Sequence, residues 1–266
     1  MSTNNLQKIL PMLTWYKYAS KALVLLTTFL WSGEADASHI VGGEMTYRCL
    51  GGQVYEITLT LRRDCFNGSP EAEFDDPAHI GIFDGEGSII RTRSDFSLLL
   101  LEFRRDDTLN EILKTECEVV GGDVCVHTTT YRGKVELPFI KGGYILAYQR
   151  CCRNKTITNI TDPELIGATY SVVISEDALR YCNSSPKFKP FPPIYICGDR
   201  PIVSDQSATD AEGDSIVYSL CVPYAGADTS NSKPSRPKYP FPEVQYKAPF
   251  GLKDLLGGTP PLRLDE

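Results

Sequence analysis

A chain of 266 residues, 42% of them hydrophobic, can bury a real core and has the length of one large or two ordinary domains. Its formal net charge of −7 argues against nucleic acid or an anionic membrane as a partner and is compatible with divalent cations. Nine cysteines stand beside only three histidines, with no Cys-x-x-Cys pair, so the cysteine spacing is not that of a metal site.

The first 37 residues have the layout of a signal peptide. Lys8, Lys17 and Lys21 make a basic opening, residues 22–31 form an apolar run with Thr27 and Thr28 inside it, and Ala35-Asp36-Ala37 has the small-x-small form of a cleavage site. The run is roughly half the length of a bilayer-spanning helix. A mature chain beginning near Ser38 outside the cytoplasm is therefore expected, against the alternative of an uncleaved anchor. No later segment is a candidate span, since Leu98-Leu-Leu-Leu101 is far too short.

Beyond the signal the pattern is β almost throughout. Residues 54–61 alternate apolar and polar positions and are rich in β-branched and aromatic side chains, the mark of a half-buried strand. They pair naturally with residues 44–49 through the turn at Leu50-Gly51-Gly52. Residues 79–83 and 88–92 predict a second hairpin, whose Asp84-Gly85-Glu86-Gly87 connection supplies positive φ angles. Asp107 to Glu118 is the one stretch with helical spacing, and strands follow over 124–137, 143–150 and 168–174.

Many short strands between Gly, Pro and Asp turns predict an all-β fold, a disulfide-stapled β-sandwich over residues 38–182. Residues 183–201 hold five prolines and read as an extended linker into an edge strand. A smaller β unit is expected over residues 183–266, with strands near 202–208 and 215–221 and a Pro/Ser/Lys-rich loop over 223–242. Its last residues read as the middle of a strand, which predicts a partial sandwich at the head of something longer.

The cysteines, Cys49, Cys65, Cys117, Cys125, Cys151, Cys152, Cys182, Cys197 and Cys221, all follow the cleavage point, and in an exported chain disulfides are the default. Nine is odd, so one thiol is free or pairs outside this chain. Cys117–Cys125 and Cys182–Cys197 would close short loops. Neighbours in a strand point to opposite faces, so Cys151 and Cys152 are expected in two different bridges.

Several blocks carry a resemblance: His39-Ile-Val-Gly-Gly-Glu44, Tyr47-x-Cys49-Leu-Gly51, Thr58-Leu-x-Leu-x-Arg63-Asp-Cys65, Asn183-Ser-Ser-Pro-x-Phe188 and, most distinctively, Gly142-Gly-Tyr-Ile-Leu-Ala-Tyr-Gln-Arg-Cys-Cys-Arg153. With Ser207-Ala-Thr-Asp-Ala-Glu-Gly-Asp-Ser-Ile-Val-Tyr-Ser-Leu-Cys221, they resemble the amino-terminal region of large exported surface proteins of Bacteroidetes-type bacteria. Such proteins continue into PKD or other immunoglobulin-like repeats and end in a gliding-motility-associated sorting domain for type IX secretion. The part from Asn183 onward also resembles cadherin-like and immunoglobulin-like repeats. That likeness implies a calcium site at Asp210, Glu212 and Asp214, where carboxylates around Gly213 can converge oxygens on a hard cation. Glu212 departs from the usual Asp, and the competing reading is a plain Asp/Gly turn.

No catalytic motif appears: a nucleophile elbow, a His-Glu-x-x-His helix, a Walker loop and a dinucleotide glycine run are all missing. Asp75-Asp76 reads as a solvated loop, with half of an acid/base pair or a metal ligand as the sharper reading. His39, His79 and His127 read as structural or surface residues. Tyr144 and Tyr148 share a strand face and read as core, with a sugar-stacking platform as the alternative. Asn-x-Ser/Thr triplets start at Asn67, Asn154, Asn159 and Asn183 and read as chance matches given the bacterial resemblance. The expectation is a non-catalytic, secreted or cell-surface adhesion module that meets an extracellular protein or glycan surface. The rival is a carbohydrate-binding module or a glycan hydrolase.

Overall fold

The structure is a computed structural model and describes residues 40–66, 68, 73–90, 98–108, 125–189 and 203–264. The expected signal peptide, nearly all of the helical stretch over 107–118, Cys117, Cys197 and most of the proline-rich linker lie outside the described residues.

β1 (Ile40–Gly51) and β2 (Val54–Asp64) form the expected hairpin. Its turn holds Gly51 and Gly52 at φ 86° and 60°, a region glycine enters without a Cβ clash. Along β2 every second side chain is buried, from Tyr55 through Ile57 and Leu59 to Leu61, because alternate residues of a strand share a face. β5 (Val126–Glu136) runs antiparallel along the whole of β2.

β4 (Leu98–Thr108) divides its pairing. Leu98 to Leu101 lie against β3 (Ala78–Asp84), whereas the residues from Glu102 on lie against β5, with a register shift between Phe103 and Asp106. One strand therefore serves two sheet halves and turns the corner between them. β6 (Tyr144–Arg150) and β7 (Ala168–Ile174) complete a seven-stranded antiparallel sheet ordered β1-β2-β5-β4-β3-β6-β7. Its outer strands meet, β1 packing on β7. The approach is close enough that a Cβ on Gly43 would stand 2.7 Å from the Thr60 carbonyl oxygen and 2.9 Å from the Tyr170 ring.

The folded-over sheet encloses a core drawn from both halves, including Ile57, Leu59, Tyr131 and Leu101 on one side and Ile80 and Leu146 on the other. Tyr144 and Tyr148 join that core. The fold is all-β, sandwich-like and disulfide-bonded, as the strand pattern predicts.

Three elements differ from expectation. Among the described residues the hairpin return after Asp84 is a bridge between Phe83 and Ile89, made by bonds from Ile90 N–H to the Ile82 carbonyl (3.1 Å) and from Asp84 N–H to the Ser88 carbonyl (2.9 Å). A short helix, α1 (Glu176–Tyr181), follows β7. Ser175 caps it by accepting from Ala178 N–H at 3.1 Å, and Glu176 and Asp177 occupy the first turn, where carboxylates suit the exposed N–H groups. Ser175→Ala is expected to lower stability by about 1 kcal/mol, read as a shift of the urea midpoint at constant slope.

The third difference lies in the second half. The described residues after the expected signal fall in one compact unit. The second β unit contributes the two-residue strands β8 (Lys187–Phe188) and β9 (Ala208–Thr209), paired with each other, and single bridges. Residues 215–221 alternate as a strand should, but a strand needs a partner, and among the described residues they join no sheet.

Instead residues 222–247 return as a strap over the first sheet. Thr169 N–H donates to the Tyr224 carbonyl (3.1 Å), Gly167 N–H to Ala227 (3.1 Å), Thr161 N–H to Gln245 (2.9 Å), and Lys247 N–H to Asn159 (3.0 Å). Ile160, Ala225 and Val244 make a small second core beneath it.

Candidate functional site

Buried polar side chains concentrate where β6 ends, at Gln149-Arg150-Cys151-Cys152-Arg153. Arg150 is 2% exposed and forms an ion pair through Nη1 with Asp75 Oδ1, while its Nη2 donates to the Glu73 carbonyl at 3.2 Å. Asp75 also accepts from the Tyr148 hydroxyl at 2.7 Å on Oδ2, and its carbonyl accepts from the Tyr131 hydroxyl at 2.7 Å. Lys233 Nζ, on the strap, stands 3.7 Å from Asp75 Oδ1.

Burial, and then the neighbouring Arg63, push the Arg150 pKa down to about 10, so it remains a cation at neutral pH. Burial foremost, with Tyr131 and Tyr170, holds the Tyr148 hydroxyl well above its ordinary value, so it stays a donor. Asp75 is thus no solvated loop residue. Its charge is buried against a buried guanidinium, and Arg150 Nε is buried without a hydrogen-bond partner.

The rest of the block is tied in the same way. Gln149 Nε2 donates to Thr169 Oγ1 (3.2 Å) and to the Lys238 carbonyl (3.0 Å), and its Oε1 accepts from Lys238 N–H (2.9 Å). Cys151 N–H donates to the Ser232 carbonyl (3.0 Å), and the Cys152 carbonyl accepts from Ile40 N–H (3.2 Å). Arg153 donates through Nε to Gly167 (3.0 Å) and through Nη2 to Tyr224 (2.9 Å). Five consecutive residues therefore join the start of β1, the 73–75 loop, the β6–β7 connection and the strap.

The disulfides overturn the short-loop expectation. Cys125 pairs with Cys65, not Cys117, and Cys182 pairs with Cys49, not Cys197. Nearness in space decides: Cys65 and Cys125 extend the β2–β5 ladder, with Cys65 N–H donating to the Cys125 carbonyl at 3.0 Å. Cys182 follows α1, with its Cα 5.4 Å from that of Cys49. Cys151 and Cys152 bond to each other. Alternation of faces does not apply to them, because β6 ends at Arg150. Cys221 is an exposed free thiol.

The acidic turn is tied by its own backbone. Asp210 Oδ1 accepts from Glu212 N–H and Asp214 N–H, both at 3.0 Å, and Asp214 Oδ2 accepts from Asn183 Nδ2. The turn lies near β1, since burial, then Tyr55, then Glu212 and Asp210 push Tyr47 up to about 12. Among the described residues one set of three His, Cys, Asp or Glu brings its ligand atoms within 4.8 Å of one another, namely Cys65, Cys125 and His127. Asp210, Glu212 and Asp214 are not such a set. Cys65 and Cys125 share a disulfide, so neither offers the thiolate a metal needs.

His127 Nδ1 lies 3.3 Å from Arg63 Nη2. The amide nitrogens of Asn154, Asn159 and Asn183 donate to Asp64 (2.7 Å), to the Leu255 carbonyl (2.8 Å) and to Asp214, the first of these bonds buried and the last exposed. Among the described residues no helix is long and apolar enough to cross a membrane.

Asp75 was singled out only as a loop residue, a metal ligand or half of a carboxylate pair; its ion pair with Arg150, the strap and the block's other cross-links escaped sequence reasoning. The one local signal was the unusual Gln-Arg-Cys-Cys-Arg run itself. Comparison of the chain with family models, with curated proteins and with solved structures finds no match.

Proposed function

We propose that this chain is a non-catalytic, exported surface or adhesion-type module, placed at the amino-terminal end of a larger repeat protein of the Bacteroidetes type described above. The observation that carries this reading is the use of the Gln149–Arg153 block: its side chains and backbone groups are directed at other parts of the chain, which is the work of a structural junction. Three disulfides among the described residues support an oxidising compartment. The partner is an extracellular protein or glycan surface. The test is expression with residues 1–37 intact, followed by mass spectrometry of the exported protein. A terminus near Ser38 and accessibility to protease added outside the cell are expected; intact residues 1–37 would overturn the reading.

Glycan binding is a second reading, favoured by Tyr224 and Tyr239, which are partly exposed and linked through Phe241 at ring-centroid distances of 5.5 and 5.1 Å. Aromatic faces of this kind stack on sugars. A glycan array separates the two readings, since binding lost in Tyr239→Ala selects the glycan and binding to no sugar selects a protein surface.

Calcium belongs to the same proposal. Asp210, Glu212 and Asp214 would share an ion with backbone carbonyls and water, because six to eight oxygens are needed, and Asn183 would release Asp214. Extracellular sites of this type have dissociation constants on the order of 0.1–1 mM. A 0.1 mM site in 1 mM calcium would then add about 1.4 kcal/mol. The expected result is a higher melting temperature in millimolar calcium than in chelator, abolished by Asp210→Ala. Equal melting in both buffers assigns the motif to a turn alone.

A further inference from the structure

Cys151 and Cys152 are both buried, and the strap is hydrogen-bonded to the backbone of the first of them. The Ser232 carbonyl takes the Cys151 N–H at 3.0 Å. On one side Lys233 reaches toward Asp75 at 3.7 Å, and Asp75 in turn holds Arg150. On the other, the Gln149 amide clasps the Lys238 backbone with bonds of 2.9 and 3.0 Å. The strap is thus fastened to the residues that precede the cysteine pair and, through Arg153 Nη2 donating to the Tyr224 carbonyl at 2.9 Å, to the residue that follows it. Thiol–disulfide exchange requires a thiolate to reach the sulfur it attacks, and with the strap seated neither sulfur is open to solvent. The Cys49–Cys182 bridge differs, because Cys182 is exposed.

We propose that the Cys151–Cys152 disulfide is a thiol-exchange site gated by the strap, its reaction partner being a dithiol. One thiolate of the dithiol attacks a cysteine sulfur. The bond between the two cysteines breaks, its electron pair leaves on the second sulfur, and that sulfur takes up a proton. The remaining thiol of the reagent then displaces the first cysteine. Two electrons and two protons pass to the protein, giving two cysteine thiols and an oxidised, cyclic reagent.

The coupling runs in both directions. Closure of the ring between adjacent side chains restricts the backbone that aims Cys151 N–H at Ser232 and the Cys152 carbonyl at Ile40. Opening the ring restores that freedom and loosens the strap. Loosening the strap exposes the sulfurs, as reciprocity between linked equilibria demands.

The test uses the whole exported chain, treated with dithiothreitol at neutral pH without denaturant, quenched by alkylation and mapped by peptide mass spectrometry. In wild type Cys49–Cys182 is expected to open well before Cys151–Cys152. Lys233→Ala removes a half-exposed ion pair and should speed opening of Cys151–Cys152 by about threefold, and Gln149→Ala removes two hydrogen bonds to the Lys238 backbone and should speed it by about thirtyfold, neither changing the Cys49–Cys182 rate. In the reverse direction, Cys151→Ser/Cys152→Ser should speed hydrogen exchange at the Lys238 amide, bonded to Gln149, but not at Val244, bonded within the strap to Pro223. Unchanged opening rates in both strap variants overturn the proposal, as does a peptide map that puts the two cysteines in separate bridges. If the double serine variant fails to fold, the Lys233→Ala kinetics decide.

Discussion

Asp75→Ala is expected to destabilise the protein by about 3–5 kcal/mol, the range for breaking a buried ion pair from one side. The cost is large because Arg150 would keep its charge with a side chain only 2% exposed, and the Tyr148 hydroxyl would lose its acceptor. The strap would also lose the carboxylate that faces Lys233. Asp75→Ala/Arg150→Met should recover most of the loss, since removing both charges removes the desolvation penalty together with the attraction. Urea unfolding of the oxidised protein reads both effects. If the single variant loses less than about 1 kcal/mol, within the range of an exposed pair, the network is solvated and the junction reading fails.

Cys49→Ser/Cys182→Ser is expected to cost about 4 kcal/mol. The bridge spans 133 residues, and the Cys65–Cys125 bridge, which spans 60, is nested inside it. The inner bridge shortens the effective loop to roughly 75 residues, for which restricting the unfolded chain contributes about 4.5 kcal/mol before any native-state strain.

A second consequence follows from position. Residues after Cys182 cover the open edge of β1: Ser185 N–H donates to the Tyr47 carbonyl (3.0 Å), Tyr47 N–H to Ser185 Oγ (2.9 Å), and Cys49 N–H to Ser184 Oγ (3.2 Å). Untethered, that cover lifts and leaves unpaired strand groups, the usual start of edge-to-edge association. Light scattering at equal concentration should therefore rise with the loss of stability. A variant that loses the bridge yet unfolds at the wild-type urea midpoint and stays monomeric would contradict both parts.

What could be read from the chain divides along a physical line. β2 was legible because alternation from Tyr55 to Leu61 reports directly on burial of one face. β6 and β7 were legible for similar reasons, Tyr144, Leu146 and Tyr148 falling at every second position of β6 and so on one face. The helix α1 has only six residues, too few for periodicity to show, although its Ser175 cap and acidic first turn were present. Disulfide partners were not legible, because pairing follows registers set by strands far apart in the chain. The strap was hidden for a related reason: its bonds are single contacts between backbone and scattered acceptors, with no repeat for a pattern to reveal. At the expected acidic site, backbone amides bond to the carboxylate that the spacing offered to an ion.

The Cys49–Cys182 bridge also decides how this molecule bears load. Tension entering at Ile40 and leaving beyond residue 182 passes along β1 only as far as Cys49, then crosses the covalent bond. The 133-residue span it closes is outside the line of force. Stretched out, that span would lengthen the chain by roughly 450 Å at about 3.4 Å per residue, and the bridge keeps all of it folded in reserve. A chain built this way yields at its ends while its core stays intact, and a reducing agent turns the same pull into one that unravels the sandwich.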